Sequence, residues 1–156
     1  MAISPNDNFS SGQVLTATEC NQFPRGIVAF AQSTTSDLTI TAEEIQLTAS
    51  TFTAVANRYY RITYYEPQVG SPATAGASAT SRIRLTNLAG TQYQQEIAQN
   101  APATAVSYTM KTIWVGTLTA GSTVIVATLQ GSTGTFTATR SATAPAQIFI
   151  EDIGPA

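Results

Sequence analysis

Two carboxylate pairs, Glu43-Glu44 and Glu151-Asp152, are where this sequence comes nearest to catalysis. Adjacent carboxylates serve acid–base chemistry when both reach one substrate atom, one holding a proton and the other not. Both pairs sit where the chain reads as strand or strand edge, and neighbouring side chains of a strand leave opposite faces. The pairs therefore diverge, and the expectation is solvated edge or turn charges. Calcium binding at Glu151 and Asp152 needs a loop of alternating oxygen ligands, and none is present. Histidine is absent, which removes the Ser-His-Asp and Cys-His nucleophile arrangements and histidine-based metal sites. Cys20 is the single cysteine, so an internal disulfide and a cysteine-built zinc site are excluded, and it reads as a small buried or partly buried side chain. No glycine-rich phosphate loop opens a helix. The expectation is a protein that is not an enzyme and carries no cofactor.

Binding chemistry is equally thin. Arg82 and Arg84 with Tyr93 could face a nucleic acid, but seven basic residues are scattered along the chain, and phosphate recognition needs them clustered. Trp114, Tyr93 and Tyr108 could stack on a sugar ring. Trp114, however, lies mid-strand among apolar neighbours, which favours core packing. Thr-x-Thr patterns at Thr39/Thr41, Thr51/Thr53, Thr117/Thr119 and Thr135/Thr137/Thr139 read as outer strand faces.

The element that must position everything else is Arg58-Tyr-Tyr-Arg-Ile-Thr-Tyr-Tyr-Glu66, which holds four of the six tyrosines. Alternation puts Tyr60, Ile62 and Tyr64 on one face and Tyr59, Arg61, Thr63 and Tyr65 on the other. The first face can fill a core with rings; the second can meet solvent or a neighbouring subunit. Around it lie Gly26–Gln32, Leu38–Ile40, Glu44–Leu47, Thr51–Val55, Ser81–Thr86, Thr91–Gln95, Ala105–Leu118, Ser122–Leu129, Thr135–Thr139 and Gln147–Ile153. Ala105–Leu118 is the longest candidate, with Tyr108, Met110, Thr112 and Trp114 on one face. Glu66–Thr80, punctuated by prolines and glycines, reads as a long loop, and Asn87-Leu-Ala-Gly90 as a hairpin turn. Eight to ten short strands with turns about every ten residues predict an all-β antiparallel sandwich or barrel.

The chain of 156 residues, with net charge −2 and 10% charged residues, is one domain with a surface suited to an assembly. Residues 1–24 are expected to be an extended N-terminal arm and residues 25–156 the sandwich. In the arm, Thr16 and Glu19 have the spacing of a capping box for one short helix. No stretch approaches the ~20 apolar residues of a membrane span, and Met1–Gln13 lacks the pattern of a secretory signal. The expectation is synthesis in a cytoplasm, without membrane or nucleic-acid partners.

The leader Asn8-Phe-Ser-Ser-Gly-Gln-Val-Leu-Thr-Ala-Thr-Glu-Cys-Asn-Gln-Phe-Pro-Arg-Gly-Ile-Val-Ala-Phe-Ala31, the strand Asn57-Arg-Tyr-Tyr-Arg-Ile-Thr63 and the terminal Ile148-Phe-Ile-Glu-Asp-Ile-Gly-Pro155 occur in that order. Together they resemble small structural proteins of tailed-bacteriophage virions, with Cys20 where such leaders often carry leucine or methionine. The resemblance implies a jelly roll similar to trimeric tumour-necrosis-factor-like heads, with no catalytic residue to carry over. It implies a homotrimeric capsid decoration protein, or alternatively a minor tail or baseplate protein, whose partners are its own copies and the major capsid or tail proteins. On that reading the interface residues are Phe9, Val14, Leu15 and Phe23 on the arm and Tyr59, Tyr65 and Phe149 on a sheet face. The alternative of another class is a receptor- or carbohydrate-binding module for host-surface glycans, recognising them through Glu66–Thr80 and Gln95–Ala103.

Overall fold

A computed structural model describes residues 11–12, 14–101 and 103–156. Among them the order is α1 (Ala17–Cys20), β1 (Gly26–Ser33), β2 (Asp37–Ile40), β3 (Glu44–Thr48), β4 (Phe52–Ala54), β5 (Arg58–Gly70) and β6 (Ser78–Leu85). There follow β7 (Gln92–Gln99), β8 (Ser107–Thr117), β9 (Gly121–Thr123), β10 (Ile125–Gly131), β11 (Phe136–Ala138) and β12 (Ala146–Pro155). The first sheet runs β1-β12-β5, with β8 on the far side of β5 and the short β11 and β2 extending it. The second runs β3-β10-β6-β7, and β4 pairs β9 as a separate ribbon. Pairing is antiparallel throughout the described strands.

Eight strands have five residues or more. Numbered in chain order, they form one sheet in the order first-eighth-third-sixth and another in the order second-seventh-fourth-fifth. Apart from the β6–β7 hairpin, every pair of neighbouring long strands is joined across a distant stretch of the chain. This is the double-sheet jelly roll, and the chain is an all-β antiparallel sandwich of that type.

Alternation in β5 falls as the sequence predicts. Tyr60, Ile62 and Tyr64 are buried, and they pack with Ile148, Ile150 and Met110 of their own sheet and Leu47, Ile83, Ala127 and Leu129 of the facing one. The Tyr60 hydroxyl accepts from the Val55 N–H at 2.8 Å, so its polar end is satisfied in the core. The hydroxyls of Ser81 and Thr112 hydrogen-bond to each other in the interior. Trp114 is half-buried against Tyr93, with ring centroids 4.6 Å apart, and a Cβ at Gly116 would overlap the indole. Its position is that of a packing residue, as its apolar neighbours suggested.

Two boundaries differ from the sequence reading. Glu66–Gly70 continues β5 and β6 begins at Ser78, so the expected loop shrinks to residues 71–77. The β5–β8 register shifts between Glu66 and Val69, and that bulge accommodates Pro67, which has no N–H for a regular ladder. This makes β5, at 13 residues, longer than β8 at 11. Likewise β7 extends to Gln99, leaving only a short loop before β8. There the buried Asn100 donates its amide to Pro72 O, Thr74 O and Thr104 O, tying the two loops together. Both intended recognition loops are therefore mostly ladder.

The β6–β7 hairpin turns at 86–91. The Asn87 side-chain amide oxygen accepts from Ala89 N–H, and a Cβ at Gly90 would strike Leu85 O. Thr86, the first residue of the turn, has φ +65, a conformation costly for a β-branched residue. Thr86→Asn, which tolerates this region, is expected to stabilise by about 1 kcal/mol, read as a Tm rise of roughly 2–4 °C by calorimetry.

Candidate assembly face and arm anchor

The outward residues of the first sheet are set by its register. One cross-strand row is Phe30–Phe149–Thr63–Ile113, the next is Ile27–Glu151–Arg61–Val115, and a third is Gln32–Gln147–Tyr65–Lys111. Four large apolar side chains in the first two rows are open to solvent: Phe30 (42%), Ile113 (41%), Val115 (54%) and Ile27 (63%). Phe149, Tyr59 and Tyr65 are half-buried beside them. Tyr59, Tyr65 and Phe149, predicted as interface residues, therefore share this one face.

Its central charges are mutually neutralised. Arg61 Nε donates to Glu151 Oε2 at 2.7 Å and Nη2 donates to Oε1 at 2.9 Å, a two-pronged pairing. The Glu151 partner holds the Arg61 guanidinium's pKa above its ordinary value. Apart from Lys111 in the third row, what remains is an apolar surface on one side of a sheet, which single scattered exposed residues do not produce.

The arm residues are placed differently. Thr16 caps α1 by accepting from Glu19 N–H, while the Glu19 carboxylate accepts from the Thr16 N–H at 2.7 Å, completing the predicted box. Val14 and Leu15 are exposed, and Phe23, three residues before β1, is 39% exposed. Cys20 is exposed rather than partly buried. Phe9 lies outside the described residues.

What fastens the arm is Arg58, a residue the sequence reading used only as the start of a strand. Its Nη2 donates to Asp152 Oδ1 at 2.7 Å and to Phe23 O at 2.6 Å, and its Nη1 donates to Asn21 O. Arg58 Nε completes the fork on Asp152 Oδ2. Arg58 and Asp152 are both buried, so the arm's carbonyls close off an ion pair that belongs to the sandwich.

The carboxylate pairs diverge as the strand geometry required, although they are not simply solvated. Glu151 serves Arg61 outside and Asp152 serves Arg58 inside. Glu43 accepts from Arg84 Nε at 2.7 Å and Thr128 Oγ1 at 2.7 Å, with Arg82 Nη1 3.4 Å away. Glu44 instead approaches Asp37. Burial first, and then the Asp37 charge, raise the Glu44 pKa. Burial would also raise Asp37 and Glu43, but Gln46 and Thr39 around the first, and Arg84, Thr128 and Arg82 around the second, lower both. The signs are opposite. Asp37 and Glu43 contribute stability above their unfolded pKa that is lost as pH falls through the folded one. Glu44 contributes stability only at low pH, lost as pH rises through its raised folded pKa. Glu44→Gln is therefore expected to raise the urea midpoint at neutral pH and leave the acid limb unchanged, as a pH series of unfolding curves would show.

Among the described residues, no group of three or more histidine, cysteine, aspartate or glutamate side chains is arranged to hold a metal, and no helix is long and apolar enough to cross a membrane. The fold and this face define the chain as a jelly-roll domain with one uncovered apolar sheet. No family model matches it, and no curated protein does. Among solved structures it is similar to the CBM22-1 xylan-binding domain of Paenibacillus barcinonensis Xyn10C, at 12% identity over 81% of this chain and 87% of that one, with a TM-score of 0.32. It is also similar to a chain of infectious bursal disease virus strain Gx, at 16% identity over 84% of this chain but 31% of that one, with a TM-score of 0.36. Neither likeness adds to what the strand order shows.

Proposed function

We propose that this chain is a structural protein of a tailed-bacteriophage virion, a homotrimeric capsid decoration protein that joins its own copies through the outer face of the first sheet. The observation that carries the reading is the row pair Phe30–Phe149–Thr63–Ile113 and Ile27–Glu151–Arg61–Val115, whose only charges already neutralise each other. A second copy laid on these two rows meets apolar side chains without stranding a charge, and Lys111, in the third row, falls at the edge of that contact. Each 100 Å² of apolar surface so covered contributes about 2.5 kcal/mol, and permanent interfaces cover many times that. The arm resembles phage leaders, and Arg58 pins it at Asn21 and Phe23; on this reading it contacts a neighbouring capsid protein. Jelly rolls build both capsid and lectin domains, so architecture alone does not choose between them; the apolar face favours assembly.

The test is incorporation. Deleting residues 1–24 is expected to leave a folded, trimeric sandwich that no longer enters phage particles, quantified by mass spectrometry of purified virions. Incorporation at the wild-type level, or saturable binding on a glycan array that substitutions in residues 71–77 abolish, would favour a recognition module instead.

A further inference from the structure

We infer that a cavity of about 380 Å³ at the junction of arm and sandwich is a carboxylate-binding site. The arm supplies Asn21 and Gln22 to its wall, and the sandwich supplies Arg25, Asn57 and Arg58 together with Pro155. The wall exists because Arg58 holds the carbonyls of Asn21 and Phe23.

The choice of ligand follows from which charges are already used. Arg58 is engaged by Asp152 and the two arm carbonyls. Arg61, Arg84 and Arg140 are each forked onto a carboxylate, and Arg82 lies 3.4 Å from Glu43. Arg25 stands apart: its Nε is 3.9 Å from Asp152 Oδ2, beyond hydrogen-bond distance, and the side chain is 46% exposed. Two guanidinium groups against the one side-chain carboxylate, Asp152, leave these side chains with a single net positive charge. The carboxamides of Asn21, Gln22 and Asn57 add N–H donors on the same wall. Planar donors and one net charge suit a planar monoanion, and a phosphate dianion would oppose the nearby Asp152. Asn57 also has φ +56, a conformation that aspartate or asparagine tolerates and that turns the chain around the pocket rim. This site is independent of the sheet face, so its failure leaves the assembly reading untouched. The carboxylate has two sources, an acidic side chain on a neighbouring protein or a small free acid.

The experiment titrates ¹⁵N-labelled full-length protein with three probes: acetate, the peptide acetyl-Gly-Asp-Gly-amide, and its Asn counterpart. Saturable shifts in the side-chain amide signals of Asn21, Gln22 and Asn57 are expected with the Asp peptide and absent with the Asn peptide. Tighter binding of the Asp peptide than of acetate identifies a protein segment as the source; equal binding identifies a free acid. Arg25→Gln, at a half-exposed position, is expected to weaken binding about tenfold or more, while Lys111→Gln, a cation on the distant sheet face, changes nothing. Asn57→Gly keeps the turn and removes one donor, so it should weaken binding even if Arg25→Gln disturbs the arm. The inference is overturned if neither carboxylate probe gives saturable shifts, if Arg25→Gln and Asn57→Gly both bind as wild type, or if inorganic phosphate binds more tightly than either.

Discussion

Arg140→Leu is expected to cost about 3–5 kcal/mol, among the largest losses any single substitution in this chain would produce. Arg140 Nε and Nη2 donate to the two carboxylate oxygens of Glu66 at 2.8 and 2.7 Å, and the Tyr64 hydroxyl donates to the same group at 2.7 Å. Glu66 has no exposed surface. Without Arg140, its charge would be left in the core with one neutral donor. Burial and the Glu66 charge already raise the Tyr64 pKa well above its ordinary value, and Arg140 moderates that. The guanidinium also donates to Thr35 O and Gln46 Oε1, so it joins the β11–β12 connection to the β1–β2 turn, β3 and the bulged end of β5. The measurement is a urea midpoint at constant slope, with a Tm decrease of roughly 6–20 °C for a domain of this size. Replacing the whole network with apolar residues, Glu66→Met with Arg140→Leu and Tyr64→Phe, should recover most of the loss, because no charge is then stranded. A loss below 1 kcal/mol for Arg140→Leu alone would mean that water reaches Glu66.

Arg58→Leu is expected to cost a similar amount, about 3–5 kcal/mol, with a second effect that Arg140→Leu lacks. Asp152 is 1% exposed, and its remaining cation, Arg25, lies at 3.9 Å. The carbonyls of Asn21 and Phe23 lose their donor at the same time. The arm should therefore detach, and trypsin should cut after Arg25 faster than in wild type at temperatures where the sandwich is still folded. Arg58→Lys should not restore resistance, since an ammonium cannot fork onto Asp152 while reaching two carbonyls. Cleavage at the wild-type rate in Arg58→Leu would show that the arm is held by something else.

Local pattern carried the sequence reading a long way. The inward row of β5, the capping box at Thr16 and Glu19, the turn at Asn87–Gly90 and the placement of Trp114 all follow from side-chain period or turn chemistry over a few residues. The pairs that hold the fold together do not. Arg58 and Asp152 are 94 positions apart, and Glu66 and Arg140 are 74; which arginine meets which carboxylate depends on the jelly-roll crossing. The bulge that admits Pro67 into β5 looked like a loop because proline and glycine punctuate both. The apolar face was half visible. Tyr59, Tyr65 and Phe149 stood out as aromatics at the outward positions of their strands. Ile27, Phe30, Ile113 and Val115 come from two further strands, and only the register aligns them with Phe149.

The claim that identical copies join through this face is tested most directly by light scattering on the size-separated full-length protein at micromolar concentration. The account predicts the mass of three chains for the wild type, and of one folded chain once Phe30→Glu and Ile113→Glu place charge in the central row. A stable wild-type monomer, or a trimer that the paired glutamates leave intact, would contradict it.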